Sequence, residues 1–221
     1  MSMLGLKTPW RMVHDYIEKL SGDVEVIPEI VSVDCLEPSK NRAKVYLRTN
    51  AASLEGISHI MTLGYTLTDP MVADAVGTLE RLWGQLFPAA DKTTNIPSRN
   101  GEHYASGFVV YFEMCLESAL PLPKAYIPVR HYCRDDGIIA EAISSYFLES
   151  VNERKAVESI KGLFKHRALA QRSGIYTYVG CAARKAGPQV SLYLSPEVFA
   201  PERQIACNPT EGGAGLSAHL V

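Results

Sequence analysis

Three short stretches, far apart in the chain, repeat one alternation in which apolar residues trade places with cations, tyrosines or other polar residues. They are Arg42-Ala43-Lys44-Val45-Tyr46-Leu47, Pro123-Lys124-Ala125-Tyr126-Ile127 and Gln189-Val190-Ser191-Leu192-Tyr193-Leu194. A period of two marks strands, because residues two apart point to the same side of a sheet. Arg42, Lys44 and Tyr46 therefore share one face, and so do Lys124 and Tyr126. A face that mixes fixed positive charge with phenol rings suits an anionic ligand that also develops a cation.

The segments between these strands have helical or turn character. Met12, Val13, Tyr16, Ile17 and Leu20 recur at helical spacing, and Ser21-Gly22 ends that run. Residues 29–36 and 41–49 predict a hairpin across Glu37–Asn41. Ser53–Leu63 and Pro70–Phe87 read as amphipathic helices, the second opened by a proline in its first turn. Ala90–Glu102 reads as a loop, and Tyr104–Leu116 pairs with Pro123–Arg130 as a second hairpin. Pro128 there marks an edge or a strand end. Helices over Asp135–Ser150 and Asn152–His166 precede a third strand pair, Gly174–Ala182 and Gln189–Ser195, turned by Lys185–Pro188. The order is helix, strand, strand, helix, repeated in a unit longer than a solenoid repeat. Residues 1–199 are expected to form one α+β domain, and the Gly-rich residues 200–221 a flexible tail.

Composition excludes several classes. With 22 basic and 24 acidic residues the formal charge is −2, so the basic excess that nucleic-acid binding uses is absent. No apolar run approaches the ~20 residues of a membrane span, and no signal-peptide segment opens the chain. These features predict a soluble cytoplasmic protein. Cys35, Cys115, Cys133, Cys181 and Cys207 are scattered, without metal or redox spacing, and read as reduced thiols.

Taken together, Arg42–Tyr46, the run Leu122–Tyr132, and Tyr176-Thr177-Tyr178 followed by Gln189–Glu197 resemble the fungal indole dimethylallyltransferase family. These are aromatic prenyltransferases whose antiparallel strands close a barrel inside a ring of helices. The resemblance extends from about Trp10 to Phe199 and corresponds to the last three of the family's five helix-strand-strand-helix units. It implies a partial antiparallel β-barrel of about six strands. It also implies transfer of a dimethylallyl group from dimethylallyl diphosphate to an indole-containing acceptor, such as tryptophan, a cyclic dipeptide or an indole alkaloid, in secondary metabolism. No cofactor and no metal are implied.

Residue by residue, the resemblance makes Arg42, Lys44, Lys124 and Arg184 diphosphate-binding positions, with Lys124 standing where many members have glutamine. Tyr46, Tyr126, Tyr178 and Tyr193 correspond to the tyrosine shield of the carbocation. Gln189 occupies a shield position often held by tyrosine, which opens one wall. The family's glutamate near the indole nitrogen, its proton-handling lysine and further diphosphate cations belong to the units with no counterpart here, so the catalytic base is unassigned.

The chemistry explains these residue types. Ionising an allylic diphosphate leaves concentrated negative charge beside a delocalised cation. Asp69, Asp74, Asp135 and Asp136 form no clustered magnesium motif, so fixed cations take that role. One cation about 4 Å from a phosphate oxygen contributes roughly 4 kcal/mol at an effective dielectric of about 20, before desolvation. Each tyrosine face adds about 0.5–2 kcal/mol to the carbocation, and a ring of them excludes water. Glu113 and His131 are the remaining titratable candidates near these strands. Arg184, beside Lys185 at a turn, reads either as a ligand contact or as a solvated charge.

Two other readings remain open: a truncated, non-catalytic relative that binds diphosphate or is an inactive barrel fragment, and an unrelated anion-binding α+β protein. Six strands do not close a ring built for ten, so unpaired edges predict self-association.

Overall fold

The computed structural model describes residues 5–20, 24–37, 40–99, 101, 103–116, 118–147 and 151–203. Six strands form one antiparallel sheet in chain order: β1 (Val26–Val33), β2 (Arg42–Thr49), β3 (Phe108–Cys115), β4 (Leu122–Ile127), β5 (Tyr176–Ala182) and β6 (Gln189–Leu194). The sheet does not close, and β1 and β6 are its two edges. Helices α1 (Lys7–Lys19), α2 (Leu54–Met61), α3 (Pro70–Leu86), α4 (Val129–Tyr132), α5 (Asp136–Tyr146) and α6 (Val151–Leu163) complete the repeated order.

The alternation in β2 sets the layering. Ala43, Val45, Leu47 and Thr49 are buried, while Arg42, Lys44, Tyr46 and Arg48 stand partly exposed on the opposite face. The buried face meets Ile57, Ile60 and Met61 of α2 and Val72, Ala75, Leu79 and Leu82 of α3 in one core. Trp83 packs against Phe108, ring centroids 5.8 Å apart, and is almost fully buried. Among the described residues, α2 and α3 pack on this buried side of the sheet, opposite the face of Arg42, Lys44 and Tyr46.

Local signals place the helices. Ser53 accepts from the Gly56 N–H at 3.1 Å to start α2, Asp69 accepts from Met71 at 2.8 Å just before Pro70, and Asp135 accepts from Ile138 at 2.9 Å to start α5. Where the structure departs from expectation, backbone chemistry explains it. β1 begins at Val26 and runs through Pro28, which is tolerated because an edge strand has a side with no ladder bond to lose. The register shifts between Pro28 and Ile30, which makes Glu29 a bulge residue. Tyr104–Ser106 is a 3-10 turn capped by His103, so β3 starts only at Phe108. Pro128 ends β4, as expected, and leads into the short helix α4.

Past Phe199 the chain remains tied down as far as Arg203. Glu202 accepts from Arg172 at 2.5 Å, and Ala200 is buried. Cys207 and the remainder of the expected tail, residues 204–221, lie outside the described residues, as does Glu117 in the second hairpin turn. Cys35, Cys115, Cys133 and Cys181 are free thiols. Among the described residues, no helix is long and apolar enough to cross a membrane.

Candidate functional site

The polar face of the sheet gathers most of the predicted side chains through register. Tyr46 of β2 pairs with Tyr111 of β3, which pairs with Lys124 of β4, which pairs with Ala182 of β5. One row deeper along the strands, Tyr126 pairs with Gly180 and Gly180 with Ser191, and Tyr178 pairs with Tyr193. Ring centroids then step across the sheet: Tyr46 to Tyr111 is 5.1 Å, Tyr111 to Tyr126 is 5.9 Å, and Tyr126 lies 5.3 Å from Tyr193 and 6.1 Å from Tyr178. The four predicted tyrosines thus fall into one aromatic array, with Tyr111 as its middle member.

Lys124 is only 5% exposed, and its seat is well defined. The ammonium donates to the Tyr193 hydroxyl at 2.9 Å and to Ser191 Oγ at 3.3 Å. It also lies 5.0 Å from the Tyr126 ring centroid and 5.1 Å from that of Tyr193. Gly180 makes the seat: a Cβ there would stand 2.6 Å from Lys124 Cε. Tyr193 in turn donates to the Tyr126 hydroxyl at 3.4 Å. Burial pushes the Tyr126 phenol far above its usual value, and its bond to Tyr193 adds to that shift. For Tyr193, burial is opposed by the Lys124 ammonium, and the net shift is downward.

At the other end of the row, cations alternate with carboxylates. Arg42 Nε donates to Asp34 at 2.6 Å, and Lys44 Nζ stands 3.6 Å from the same carboxylate. Glu113, one of the two remaining titratable candidates, faces this side and is 7% exposed. It accepts from Arg184 at 3.1 Å and stands 3.7 Å from Arg42 Nη1. Arg184 also donates to the Tyr111 hydroxyl at 3.0 Å and, at 3.4 Å, to Gln189. Arg184 is therefore a built-in member of the face and not a freely solvated turn charge. Gln189 is exposed at the start of edge strand β6.

Two guanidinium groups, those of Arg184 and Arg42, hold the Glu113 charge. His131 is buried in α4 and stacked on His103, centroids 4.9 Å apart; burial, reinforced by His103 and Arg130, depresses its pKa. It belongs to the chain turn after β4, not to the phenol array. Tyr178 carries its hydroxyl to the Ala105 carbonyl at 3.1 Å.

Tyr111 and Asp34 lie outside the predicted set, and Ser191 belongs to the third repeated stretch without a predicted role. Tyr111 has Val109 two residues before it, so it breaks the cation-x-tyrosine pattern. Its alternation with Glu113 was the available signal. The site is an open face and not an enclosed cavity. Two clefts, of about 570 Å³ beside Tyr16 and His59 and of about 530 Å³ beside Arg172 and Glu197, lie elsewhere.

The chain and its fold have counterparts among known proteins. Residues 2–161 match the family profile described as tryptophan dimethylallyltransferase. The 4-O-dimethylallyl-L-tyrosine synthase of Claviceps purpurea is 33% identical over 198 residues, covering 87% of this chain and 44% of the relative. The 7-dimethylallyltryptophan synthase of Aspergillus fumigatus is 30% identical, covering 77% of this chain and 37% of the relative. Among solved structures, AnaPT from Neosartorya fischeri superposes with a TM-score of 0.72 at 23% identity, over 86% of this chain and 45% of that one. NotF, solved in complex with brevianamide F and DMSPP, superposes with a TM-score of 0.67 at 18% identity, over 86% and 46%. The fold is that of the prenyltransferase barrel in part, and the chain spans less than half the length of these relatives.

Proposed function

The chain belongs to the tryptophan dimethylallyltransferase family, and from that premise we propose that its polar sheet face serves metal-independent transfer of a dimethylallyl group from dimethylallyl diphosphate to an indole-containing acceptor, in the cytoplasm. One observation carries the reading above the others. The face already holds a cation, the Lys124 ammonium, against the rings of Tyr126 and Tyr193. An allylic cation formed beside those rings meets the same stabilisation.

In this reading the allylic C–O bond breaks and the diphosphate leaves with the electron pair. Arg42, Lys44, Arg184 and Lys124 compensate the charge of the leaving group, which exchanges with Asp34 and Glu113 for their cations. Tyr46, Tyr126, Tyr178 and Tyr193, with Tyr111 between them, shield the cation until the aromatic ring attacks it and loses a proton. The exposed Gln189 widens one side of the shield.

The test is calorimetry with a thiolo analogue of dimethylallyl diphosphate in EDTA, followed by mass spectrometry of reactions with a panel of indoles. Binding in EDTA is expected, and Arg42→Gln with Lys44→Gln should abolish it. A protein that binds no allylic diphosphate under these conditions ends the proposal.

The open sheet favours a second reading, diphosphate binding without turnover. Water reaches an uncovered face, and water quenches a carbocation. Pairing of the β1 and β6 edges between copies would cover it, and β1 carries exposed Ile27, Ile30, Val31 and Val33. Light scattering combined with product assays separates the two readings: robust turnover by a monomer eliminates the second.

A further inference from the structure

A cleft of about 570 Å³ lies between α1 and the C-terminal end of α2, and no residue of the polar sheet face lines it. Its size falls within the roughly 300–1,000 Å³ of small-molecule sites. Helical spacing builds one wall, where Met12, Tyr16 and Lys19 recur at i, i+4 and i+7 of α1 and share a stripe. Facing it are His59, Leu63 and Gly64. Leu63, Gly64 and Tyr65 are all left-handed, with φ of 48°, 69° and 63°, where the chain turns back to cap α2. The Leu63 and Gly64 N–H groups donate to the Ile60 and His59 carbonyls at 3.0 and 2.8 Å, and the Thr62 hydroxyl donates to the Ser58 carbonyl at 2.8 Å. These bonds cover the negative end of the helix, which would otherwise repel an anion.

Two donors in the cleft remain unspent. Tyr16 is buried, and burial, with a smaller contribution from Tyr65, pushes its phenol up to about 12, so it stays protonated. Its hydroxyl bonds to His59 Nδ1 at 3.0 Å. With that phenol as donor, the ring proton of neutral His59 sits on Nε2, a nitrogen without a partner among the described residues. A Cβ on Gly64 would stand 3.6 Å from it, so glycine keeps the approach open. Lys19, exposed in the last turn of α1, has no ion-pair partner among the described residues either.

Around these donors the walls are aromatic and apolar. Tyr65 meets the His59 ring edge-on with centroids 5.3 Å apart, and the Tyr16 ring lies 5.7 Å from His59. Such walls favour a flat ring. Asp15, 3.7 Å from His14, is the one carboxylate among the described lining residues. Its charge offsets that of Lys19, so the cleft suits a single negative charge and disfavours a polyanion.

We propose that this cleft is a second ligand site, for a monoanionic aryl carboxylate whose carboxylate accepts from His59 Nε2 and the Lys19 ammonium and whose ring lies against Tyr16 and Leu63. It shares no residue with the polar face and does not depend on the prenyl-transfer reading.

Calorimetry of the full chain with 2-naphthoate tests it, with 2-naphthamide as the uncharged counterpart and inorganic pyrophosphate as competitor. Naphthoate is expected to bind about tenfold more tightly than the amide, with an affinity that saturating pyrophosphate leaves unchanged. Lys19→Gln, at an exposed helix position, should weaken naphthoate roughly fivefold and spare the amide. His59→Phe, which keeps a ring, should weaken naphthoate about tenfold. In the wild type the Gly64 and Thr66 amide resonances should move on titration, a readout that needs no variant. No binding of naphthoate, equal affinity for the amide, an affinity unchanged in either variant, or unmoved Gly64 and Thr66 resonances overturns the site. Displacement by pyrophosphate overturns it too, because it assigns the carboxylate to the polar face.

Discussion

Two arginine-carboxylate networks in this chain look alike on paper and differ in their exposure to water. The first joins Arg167 to Asp136 at 2.5 Å and to Glu197 at 2.8 Å, and the side chains of Arg167 and Asp136 are fully buried. Asp136 also accepts the backbone N–H groups of Gly174, Ile175 and Tyr176, and His166 adds a bond to Glu197. The second network, on the polar face, joins Arg42, Lys44 and Arg184 to Asp34 and Glu113, and there Arg42 is 43% exposed. In the first, the Arg167 donors and the Asp136 oxygens are taken by partners within the protein, which suits the pair to holding structure. In the second, solvent-facing lone pairs and N–H groups remain, and a stronger anion can displace the carboxylates. A satisfied, dry ion pair is a clasp, while a wet one is open to exchange.

The largest expected effect comes from breaking the clasp. Arg167→Met leaves Asp136 as an unpaired buried charge, and stability should fall by about 3–5 kcal/mol in urea unfolding. A loss below about 1 kcal/mol would erase the distinction between the networks. On the polar face, Arg42→Gln should change stability by less than about 1 kcal/mol and weaken binding of the diphosphate analogue roughly tenfold, read by paired melting and calorimetry. The reverse pattern would mean that the face is structural.

Acid sharpens the contrast. Burial alone would raise the Glu197 pKa, but its bonds to Arg167 and His166 outweigh burial and hold it below the usual carboxylate value. A depressed folded-state pKa means stability that is present above the unfolded value and lost as pH falls through the folded one. The melting temperature should drop more steeply below about pH 4 in the wild type than in Glu197→Gln, and parallel profiles would contradict the clasp. The smallest expected effect is that of Gly180→Ala. Its Cβ meets the far end of Lys124, which can swing aside, so the fold should hold within about 1 kcal/mol while analogue affinity falls about threefold. Unchanged affinity would show that the Lys124 seat does not matter for the diphosphate.

Much of this molecule is legible one strand at a time. Alternation in Arg42–Thr49 assigns each side chain a face without reference to any neighbour, because the pleat has period two. Ser53, Asp69 and Asp135 announce helix starts because a cap acts within three residues. The apolar stripe of Pro70–Leu86 marks its buried side for the same local reason. Tyr111 stayed hidden because its part in the array depends on lying between Tyr46 and Lys124, and those cross-strand pairs join residues 65 and 13 positions apart in the chain.

The sequence by itself thus determined the strands, their faces, the helix order and the mixture of cations and phenols on one side. Tertiary structure alone decided that Lys124 rests on Tyr126 and Tyr193 over the gap left by Gly180, that Glu113 bridges Arg42 and Arg184, and that Arg167 closes the clasp across about thirty residues. Facing follows from the geometry of consecutive peptide units, whereas partnership follows from register and packing between segments that only the folded chain brings together.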